Sequence, residues 1–311
     1  MSQTNKFLAR FMTVRVTVII IAVLCLAVGA LYAQSGAKTV PAQGAYFGQT
    51  MPGETPVLFA PEILNALSPW VAHTDFSPDG TQFFASVGAA NYSSAKLYHS
   101  KLVNEAWTPF VEAPLLSDFT FSNEPVFSAD GTTLTFTGKK AIGSLDLWTV
   151  SYTNQRWGTP VALPSPINSD AKEGRGSTLP DGTMYFSSAR SGMFQVYKGY
   201  KDATQTLVVE LVGAPISTNS YEGDPCIAPD GRFLIFYSAR DWKSADLYVS
   251  FSDGKGGWGT ALKLGDEFNT PGDEYGAHLS SDEKYLFFTR HTSQGNSIYW
   301  VASSAIDKLK R

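Results

Sequence analysis

One short phrase occurs five times in this sequence, and the repeat constrains the fold more than any other feature. Each copy has a tight turn followed by an alternating, aromatic-rich stretch, as in APDGRFLIFYSAR at residues 228–240. The turn aspartates are Asp79, Asp130, Asp181, Asp230 and Asp282, with spacings of 51, 51, 49 and 52 residues. A fixed period of this length indicates a tandem array of one supersecondary unit.

Two further segments follow the turn, the first in all five units and the second in the first four. The first has an aromatic residue 16 to 19 positions after the aspartate, at Tyr98, Trp148, Tyr197, Tyr248 and Tyr299. The second is typified by WTPFVEAP at 107–114 and WGTPVALP at 157–164. Together with the stretches on both sides of the turn, these segments give four strand-like stretches per unit. Tandem four-stranded units predict an all-β fold, a β-propeller.

The fifth unit lacks its fourth strand, and the other end of the chain can supply it. ETPVLFAP at 54–61 resembles GTPVALP at 158–164. We expect this N-terminal strand to complete the last blade, because an open array would expose a sheet edge. The prediction is a five-bladed propeller of four-stranded antiparallel blades. Six blades is the alternative, if residues 40–70 contain a degenerate unit.

The repeated phrase S-P-D-G-x-x-L-x-F-x-S-x-R, followed by D-L-Y, resembles the Pro-Asp, WD40-like repeat of the TolB-like β-propeller family. The resemblance covers about residues 54–303. Ala129 and Ser281 replace the proline, and Glu283 replaces the glycine of the last turn. The resemblance implies a propeller and leaves the function open, since propellers include binding modules, lyases, lactonases and hydrolases.

The first 33 residues differ from the rest of the chain. Lys6, Arg10 and Arg15 precede the apolar run VTVIIIAVLCLAVGALYA at 16–33. This pattern is typical of a signal peptide, and small residues near its end favour cleavage. A run of about 18 residues is also long enough for an uncleaved membrane anchor. In both cases we expect an exported protein, periplasmic or extracellular, that meets the membrane only through this segment.

The domain prediction follows from these patterns. The leader at 1–33 precedes a linker at 34–53, the propeller at 54–303 and a tail at 304–311. Loss of the three basic leader residues changes the net charge from −4 to −7. No block of like charge occurs, which argues against nucleic-acid binding. Cys226 is then the single cysteine, so we expect a buried thiol and no intrachain disulfide. The expected oligomeric state is a monomer.

Charged residues also recur at the end of each hairpin opposite the turn. The start of the first strand meets the end of the second in an antiparallel hairpin, so these residues should form a polar ring at one mouth of the central channel. The predicted binding residues are His73, Glu124, Lys139, Glu173, Arg190, Glu222, Asp224, Arg240, Trp242, Glu274 and Arg290. The expected pairs are Glu124 with Lys139, Glu173 with Arg190, Glu222 or Asp224 with Arg240, and Glu274 with Arg290.

Two interpretations of this ring remain open. The pairs can be ion pairs that join strands and blades, or they can bind a ligand in the mouth. Tyr92, Trp242 and His291 fall in loops on the same face, and aromatic residues beside charges suit a sugar or a peptide end. The turn aspartates are predicted to be structural, because Asp before Gly accepts hydrogen bonds from its own turn.

The predicted function is binding of a protein or a cell-envelope glycan at the channel mouth. The alternative is a glycan-active hydrolase or lyase, sialidase-like or oligosaccharide lyase-like, that uses carboxylates of the same ring. FSDGKGGW at 251–258 does not meet the sialidase Asp-box, and no catalytic residue is predicted. No cofactor is expected apart from a Ca²⁺ ion that Glu124, Glu173 and Asp224 could hold. The four histidines lie in different units and form no zinc motif.

Overall fold

The alternating stretches on either side of each predicted turn are paired antiparallel strands. The computed structural model describes residues 43–310, and these form five small antiparallel sheets arranged as the blades of a propeller. The prediction of a five-bladed, all-β fold is confirmed. The leader at 1–33 lies outside the described residues.

Each blade runs from an innermost strand at the channel to an outer strand at the rim. Blade 1 is Val71–Phe76, Gln82–Gly88, Ala95–Val103 and Val111–Glu112; blade 2 is Phe119–Phe127, Thr133–Lys140, Asp146–Thr153 and Val161–Ala162. Blade 3 is Glu173–Thr178, Met184–Ser188, Gln195–Lys201 and Leu207–Leu211; blade 4 is Glu222–Ile227, Phe233–Ser238, Asp246–Phe251 and Leu262–Lys263. Blade 5 is Asp273–Leu279, Tyr285–Thr292, Gly295–Ala302 and Val57–Leu58. Two short strands, Ala106–Trp107 and Arg156–Trp157, extend blades 1 and 2.

The ring is closed by the N-terminal strand, as predicted. Val57 pairs with Trp300 and Leu58 pairs with Tyr299. The Phe59 N–H then donates to the Ile298 carbonyl at 2.8 Å. The outer edge of blade 5 is therefore covered by residues that lie more than 230 positions earlier in the chain.

The core lies between neighbouring blades, and paired aromatic residues on the second strands fill it. Phe83 and Phe84 are both fully buried, but Phe83 packs toward blade 5 while Phe84 packs toward blade 2. Phe287 and Phe288 divide in the same way between the clusters on the two sides of blade 5. Consecutive residues of a strand point to opposite faces, so a Phe-Phe pair supplies both neighbouring interfaces.

The turn aspartates have the structural role that the sequence predicts. Asp130 Oδ1 accepts hydrogen bonds from the Thr132 N–H at 3.0 Å and from the hydroxyls of Ser128 and Thr132. These bonds lower the pKa of Asp130 to about 2. The other four turn aspartates accept the N–H two residues later in the same way.

Parts of the predicted linker and tail belong to the propeller. Residues Ala45–Gly48 form a 3-10 turn, and buried Phe47 packs against Trp107 with ring centroids 4.6 Å apart. At the other end, Ser304–Asp307 forms a helical turn that buries Ile306 completely. Apolar side chains in both segments explain the difference from the predicted boundaries, because they pack into the hydrophobic clusters between neighbouring blades.

Two other helical segments, Pro61–Leu67 and the 3-10 turn Pro114–Leu116, connect strands of the propeller. Within residues 43–310, the structure contains no helix with the length and apolar composition needed to cross a membrane.

Candidate binding site at the channel mouth

Every innermost strand has a bulge at the same position, six residues before the turn aspartate. The backbone φ angle is positive at each of these residues: 42° at His73, 58° at Glu124, 21° at Arg175, 49° at Asp224 and 65° at Gly276. Four of the five are not glycine, so their backbones are held in an unfavourable region. A bulge changes the direction of a side chain, and here it brings one residue of each blade toward the channel.

Hydroxyl groups of the preceding blade hold these bulges in place. The N–H groups of His73, Glu124, Arg175 and Asp224 donate to Thr289, Ser86, Thr137 and Ser187 at 3.0–3.2 Å. Blade 4 has Tyr237 where the other blades have this serine or threonine. The Gly276 N–H therefore donates to Asp224 Oδ2 instead, at 3.0 Å. Each bulge is thus fixed by its neighbour around the ring.

Three of the bulge side chains meet at the floor of the mouth. Nitrogen or oxygen atoms of His73, Glu124 and Asp224 lie within 4.8 Å of one another, although the three residues belong to blades 1, 2 and 4. His73 Nε2 and Asp224 Oδ2 are 3.0 Å apart. This contact spans blade 5, where Gly276 has no side chain. A Cβ atom at Gly276 would lie 2.7 Å from His73 Cδ2.

Both floor carboxylates are already engaged by the protein. Burial alone would raise the pKa of Asp224, but His73 and Arg175 have the opposite effect and the pKa is lowered. Glu124 Oε2 accepts the Arg175 N–H at 2.7 Å and also accepts the Thr137 hydroxyl. Asp224 is therefore ionised at neutral pH and both groups act as hydrogen-bond acceptors.

Aromatic side chains line the cleft above this floor. The cleft has a volume of about 710 Å³ and opens widely to solvent. Its aromatic lining residues are Tyr92, Phe121, Phe194, Tyr221, Tyr237, Trp242 and Tyr275. Trp242 is 65% exposed, and Tyr92 and Tyr221 are each nearly half exposed. A second recess of about 870 Å³ shares Tyr92, Phe121 and Tyr221 with it.

The hydroxyl of Tyr92 links the rim of the cleft to its interior. It lies 2.8 Å from the hydroxyl of buried Tyr275, whose ring packs against His73 with centroids 5.1 Å apart. Burial raises the pKa of Tyr92 and raises that of Tyr275 well above the usual value. Both phenols are therefore protonated at neutral pH, and one donates its hydroxyl proton to the other.

Three of the predicted ring residues lie inside the blades rather than in the mouth. Glu173, Glu222 and Glu274 are completely buried. Each accepts a backbone N–H and a hydroxyl from the residue four positions earlier, as Glu173 does from Ser169. This geometry contradicts the expectation that they face a ligand, and it removes Glu173 from the predicted Ca²⁺ site. The bulge is the physical reason, because it turns the residue two positions later toward the channel.

The predicted arginines accompany these buried glutamates. The N–O distances are 3.3 Å for Arg190 with Glu173, 3.8 Å for Arg240 with Glu222 and 2.7 Å for Arg290 with Glu274. The guanidinium groups of these arginines also stack on Tyr197, Tyr248 and Tyr299 at 4.2–4.9 Å from the ring centroids. The S-x-R and D-L-Y elements of the repeat therefore form one packing unit within each of these blades.

Of the two partners expected for Arg240, the structure pairs it with Glu222, while Asp224 contacts His73. The expected pair of Glu124 with Lys139 differs from the structure, since Glu124 is bonded to blades 2 and 3 rather than to Lys139. Lys139 lines the neighbouring recess, and Trp242 lies on the rim of the cleft. One imidazole and two carboxylates supply fewer oxygen ligands than the six to eight that Ca²⁺ takes, so the floor fits that ion poorly.

Sequence reasoning missed a second inward layer and most of the aromatic wall. The layer lies four residues before each turn aspartate and consists of Asp75, Val126, Ser177, Cys226 and His278. The period of two along an inner strand could have identified it, because alternate residues share a face. Phe121 lies within the innermost strand of blade 2, whereas Phe194 directly precedes the third strand of blade 3 and Tyr221 the innermost strand of blade 4. No repeated sequence pattern distinguishes these three positions.

Comparison with known proteins supports the architecture alone. No family model matches the sequence, and no curated protein matches it. A solved structure of a protein from Agrobacterium tumefaciens assigned as TolB shares 15% identity, with a TM-score of 0.52 over 83% of this chain and 87% of that one.

Two other solved structures match less of the fold. Hydrazine synthase from Kuenenia stuttgartiensis has 12% identity and a TM-score of 0.48, covering 75% of this chain and 37% of that one. A periplasmic gluconolactonase from Pseudomonas aeruginosa has 16% identity and a TM-score of 0.40, covering 72% and 67%. Identities this low establish a fold and not an activity. The five closed blades, the repeated turn and the first of these likenesses together identify the chain as a five-bladed β-propeller with TolB-like architecture.

Proposed function

We propose that this protein binds the end of a cell-envelope glycan in the cleft at the channel mouth. One observation carries the proposal: exposed aromatic rings surround a floor of hydrogen-bond acceptors. Trp242 and Tyr221 form the rim, with ring centroids 6.3 Å apart, and Glu124 and Asp224 lie below them. A sugar has apolar C–H faces that pack on aromatic rings and hydroxyl groups that donate to carboxylates.

The shape of the cleft favours a glycan end over a flat protein surface. A concave site with aromatic walls and a few convergent polar groups is typical of small-ligand binding. The volume of about 710 Å³ lies within the range of roughly 300–1,000 Å³ that is typical of small-ligand sites, so the cleft can hold a short oligosaccharide end. Lys172 and Lys243 on the rim can bind acidic substituents of such a chain.

Binding is favoured over turnover by the state of the carboxylates. A glycosidase needs one carboxylic acid with a raised pKa to protonate the leaving group. Asp224 has a lowered pKa, and Glu124 accepts two hydrogen bonds from the protein. Paired acceptors can hold sugar hydroxyls but are poorly placed to donate a proton.

The test is isothermal titration of the purified protein with a panel of envelope oligosaccharides. Trp242→Ala should weaken binding at least tenfold, because it removes an exposed stacking surface. Tyr200→Ala is the matched control, since Tyr200 lies on the third strand of blade 3, away from the cleft, and its hydroxyl donates to Glu210 at the surface. Unchanged affinity in Trp242→Ala, or equal losses in both variants, would contradict the proposal.

A second pair of variants separates binding from turnover. Glu124→Gln should weaken binding by a factor of about 10, since an amide is a poorer acceptor for a sugar hydroxyl than a carboxylate. Glu210→Gln is the control on the outer strand of blade 3. Release of reducing sugar by the wild type, abolished in Glu124→Gln, would favour a hydrolase. A protein ligand that still binds Trp242→Ala would place the function on another surface.

We also propose that the propeller is exported by its leader. The basic residues before the apolar run at 16–33 support this part of the proposal. N-terminal sequencing of the protein from its native compartment tests it, because a mature N-terminus just after this run indicates cleavage. An intact Met1 in a membrane fraction would indicate an anchor instead.

A further inference from the structure

Arg175 is a charged side chain inside the channel with few partners. It is 1% exposed, although a guanidinium group stays ionised in proteins. Its Nη2 atom donates to the Ala277 carbonyl at 3.2 Å. Within residues 43–310, Nε and Nη1 have no hydrogen-bond partner. A buried charge with unsatisfied donors is costly, so the site calls for a compensating group.

The two nearest carboxylates do not supply that compensation. Asp75 and Asp224 interact with Arg175 electrostatically, yet neither forms an ion pair with it among the described residues. The oxygens of Asp75 accept the N–H groups of Phe76 and Phe127, both at 2.8 Å. Asp224 Oδ2 is shared between His73 and Gly276.

A cavity of about 100 Å³ adjoins the guanidinium at the end of the channel near the Asp-Gly turns. Arg175, Ser177 and His278 line it together with Asp75 and the Cys226 thiol. Ser177 Oγ accepts the Ile227 N–H at 3.1 Å, which leaves its hydroxyl proton to donate. Burial and Arg175 lower the pKa of His278 far below the usual value, so this imidazole is neutral.

We propose that this cavity binds a small monovalent anion, of the size of chloride or formate, between the Arg175 guanidinium and the Ser177 hydroxyl. The unpaired Nε and Nη1 donors and the polar cavity beside them carry the proposal. One positive charge balances one negative charge, and Asp75 on the opposite wall disfavours a divalent anion. The site lies at the opposite end of the channel from the glycan cleft, so it does not depend on the proposed function.

The experiment measures thermal unfolding in sodium gluconate, with chloride or formate replacing gluconate at constant ionic strength. Gluconate is too large for the cavity and controls for general salt effects. We expect Tm to rise with the logarithm of the anion concentration above its Kd, by roughly 3–5 °C for each tenfold increase. A chloride effect alone indicates an inorganic ion, and a formate effect alone indicates the carboxylate of an organic ligand. Equal Tm values in all three salts would overturn the proposal.

Two variants locate the effect. Arg175→Met keeps much of the side-chain volume, and it should abolish the anion-dependent rise in Tm. If that variant does not fold, Ser177→Ala should move the onset of the Tm rise to about tenfold higher anion concentration, by loss of one hydrogen bond to a charged group. Bromide soaked into crystals should give an anomalous peak beside Arg175 Nη1. An unchanged onset in Ser177→Ala, or a peak at the surface alone, would contradict the assignment.

Discussion

The buried glutamates Glu173, Glu222 and Glu274 and the channel acids Glu124 and Asp224 occupy neighbouring positions of one repeat, yet they have different roles. The glutamates lie eight residues before the turn aspartate, are completely buried and pair with an arginine of their own blade. The channel acids lie two residues later, on strained bulges, and each forms at least one contact with another blade. A shift of two residues thus separates groups that stabilise a blade from groups that can meet a ligand.

The comparison teaches that charge and repetition alone do not identify a site. The buried set is the more regular of the two, because three blades repeat the same Glu, Arg and Tyr arrangement. The floor position is irregular, because the five blades have five different residues six positions before the turn aspartate. Residues that are the same in several blades pack within the blades, whereas the residues that differ from blade to blade form the candidate site.

The largest expected effect concerns Asp75, a buried channel acid that lies 4.0 Å from the neutral imidazole of His278. Burial raises its pKa to about 7, although Phe127 and Arg175 act in the opposite direction. The folded protein therefore holds this proton more tightly than the unfolded chain. The resulting stability is complete below about pH 4 and is lost as the pH rises to about 7, by up to about 4 kcal/mol.

Urea unfolding from pH 4 to pH 8 in chloride-free buffer measures this effect. Asp75→Asn cannot ionise, so it should reduce the pH dependence of the free energy of unfolding whatever its absolute stability. The same slope in the variant and the wild type would show that another group is responsible. Asp202, exposed in a turn of blade 3, provides the control variant Asp202→Asn.

The next effect tests the buried set. Glu173→Ala removes the acceptor for Arg190, Ser169 and Ser188. We expect a loss of about 3 kcal/mol in the free energy of unfolding, because buried donors remain unsatisfied. Chemical denaturation measures the loss, and Glu210→Ala on the exposed outer strand is the control. A loss below about 1 kcal/mol would remove the distinction between the two sets of carboxylates.

A smaller loss of stability is expected at Gly276 of blade 5, where the absence of a side chain lets His73 reach Asp224. Gly276→Ala introduces a Cβ atom close to His73 at a positive φ angle. The cost should be about 2 kcal/mol, with His73 displaced from Asp224 and with weaker glycan binding. A crystal structure of the variant and calorimetric titration check both outcomes. Gly213→Ala has open space around it and provides the control. If His73 keeps its position in the variant, the missing side chain at Gly276 is not what allows the contact between His73 and Asp224.

The smallest expected effect is at the rim. Tyr92→Phe removes the hydroxyl that pairs with Tyr275 at 2.8 Å. The free energy of unfolding should fall by about 1 kcal/mol, since buried Tyr275 loses its partner. Tyr221→Phe is the control on the same rim. A thermal unfolding curve that is unchanged by Tyr92→Phe would indicate that water replaces the lost hydroxyl.

The sequence was sufficient for the blades and for the strand that closes the ring. Spacing of the turns, alternation along the strands and the likeness of ETPVLFAP to GTPVALP are local signals, and local signals determine strands and turns. Antiparallel pairing also predicted that the charged residues lie at the end of each hairpin opposite the turn.

The orientation of the ring residues could not be predicted in the same way. A bulge depends on hydrogen bonds from the preceding blade, such as Ser187 to Asp224, that join residues 37 positions apart. The approach of His73 to Asp224 depends on a missing side chain at Gly276 in a third blade. Contacts of this kind leave no pattern within one repeat, so the floor emerges only when all five blades are assembled.

Closure by the N-terminal strand has a consequence for how the molecule is made and unmade. Val57 is among the first propeller residues to emerge during synthesis and Trp300 among the last, and they are partners in one sheet. The ring can close only after the whole propeller has been synthesised, and until then the strand Val57–Leu58 has no partner strand. Force applied to the two ends of the propeller would act directly on the pairing of Val57–Leu58 with the third strand of blade 5. Removal of residues 43–60 should therefore detach blade 5 from blade 1 and destabilise the whole propeller, rather than one outer edge.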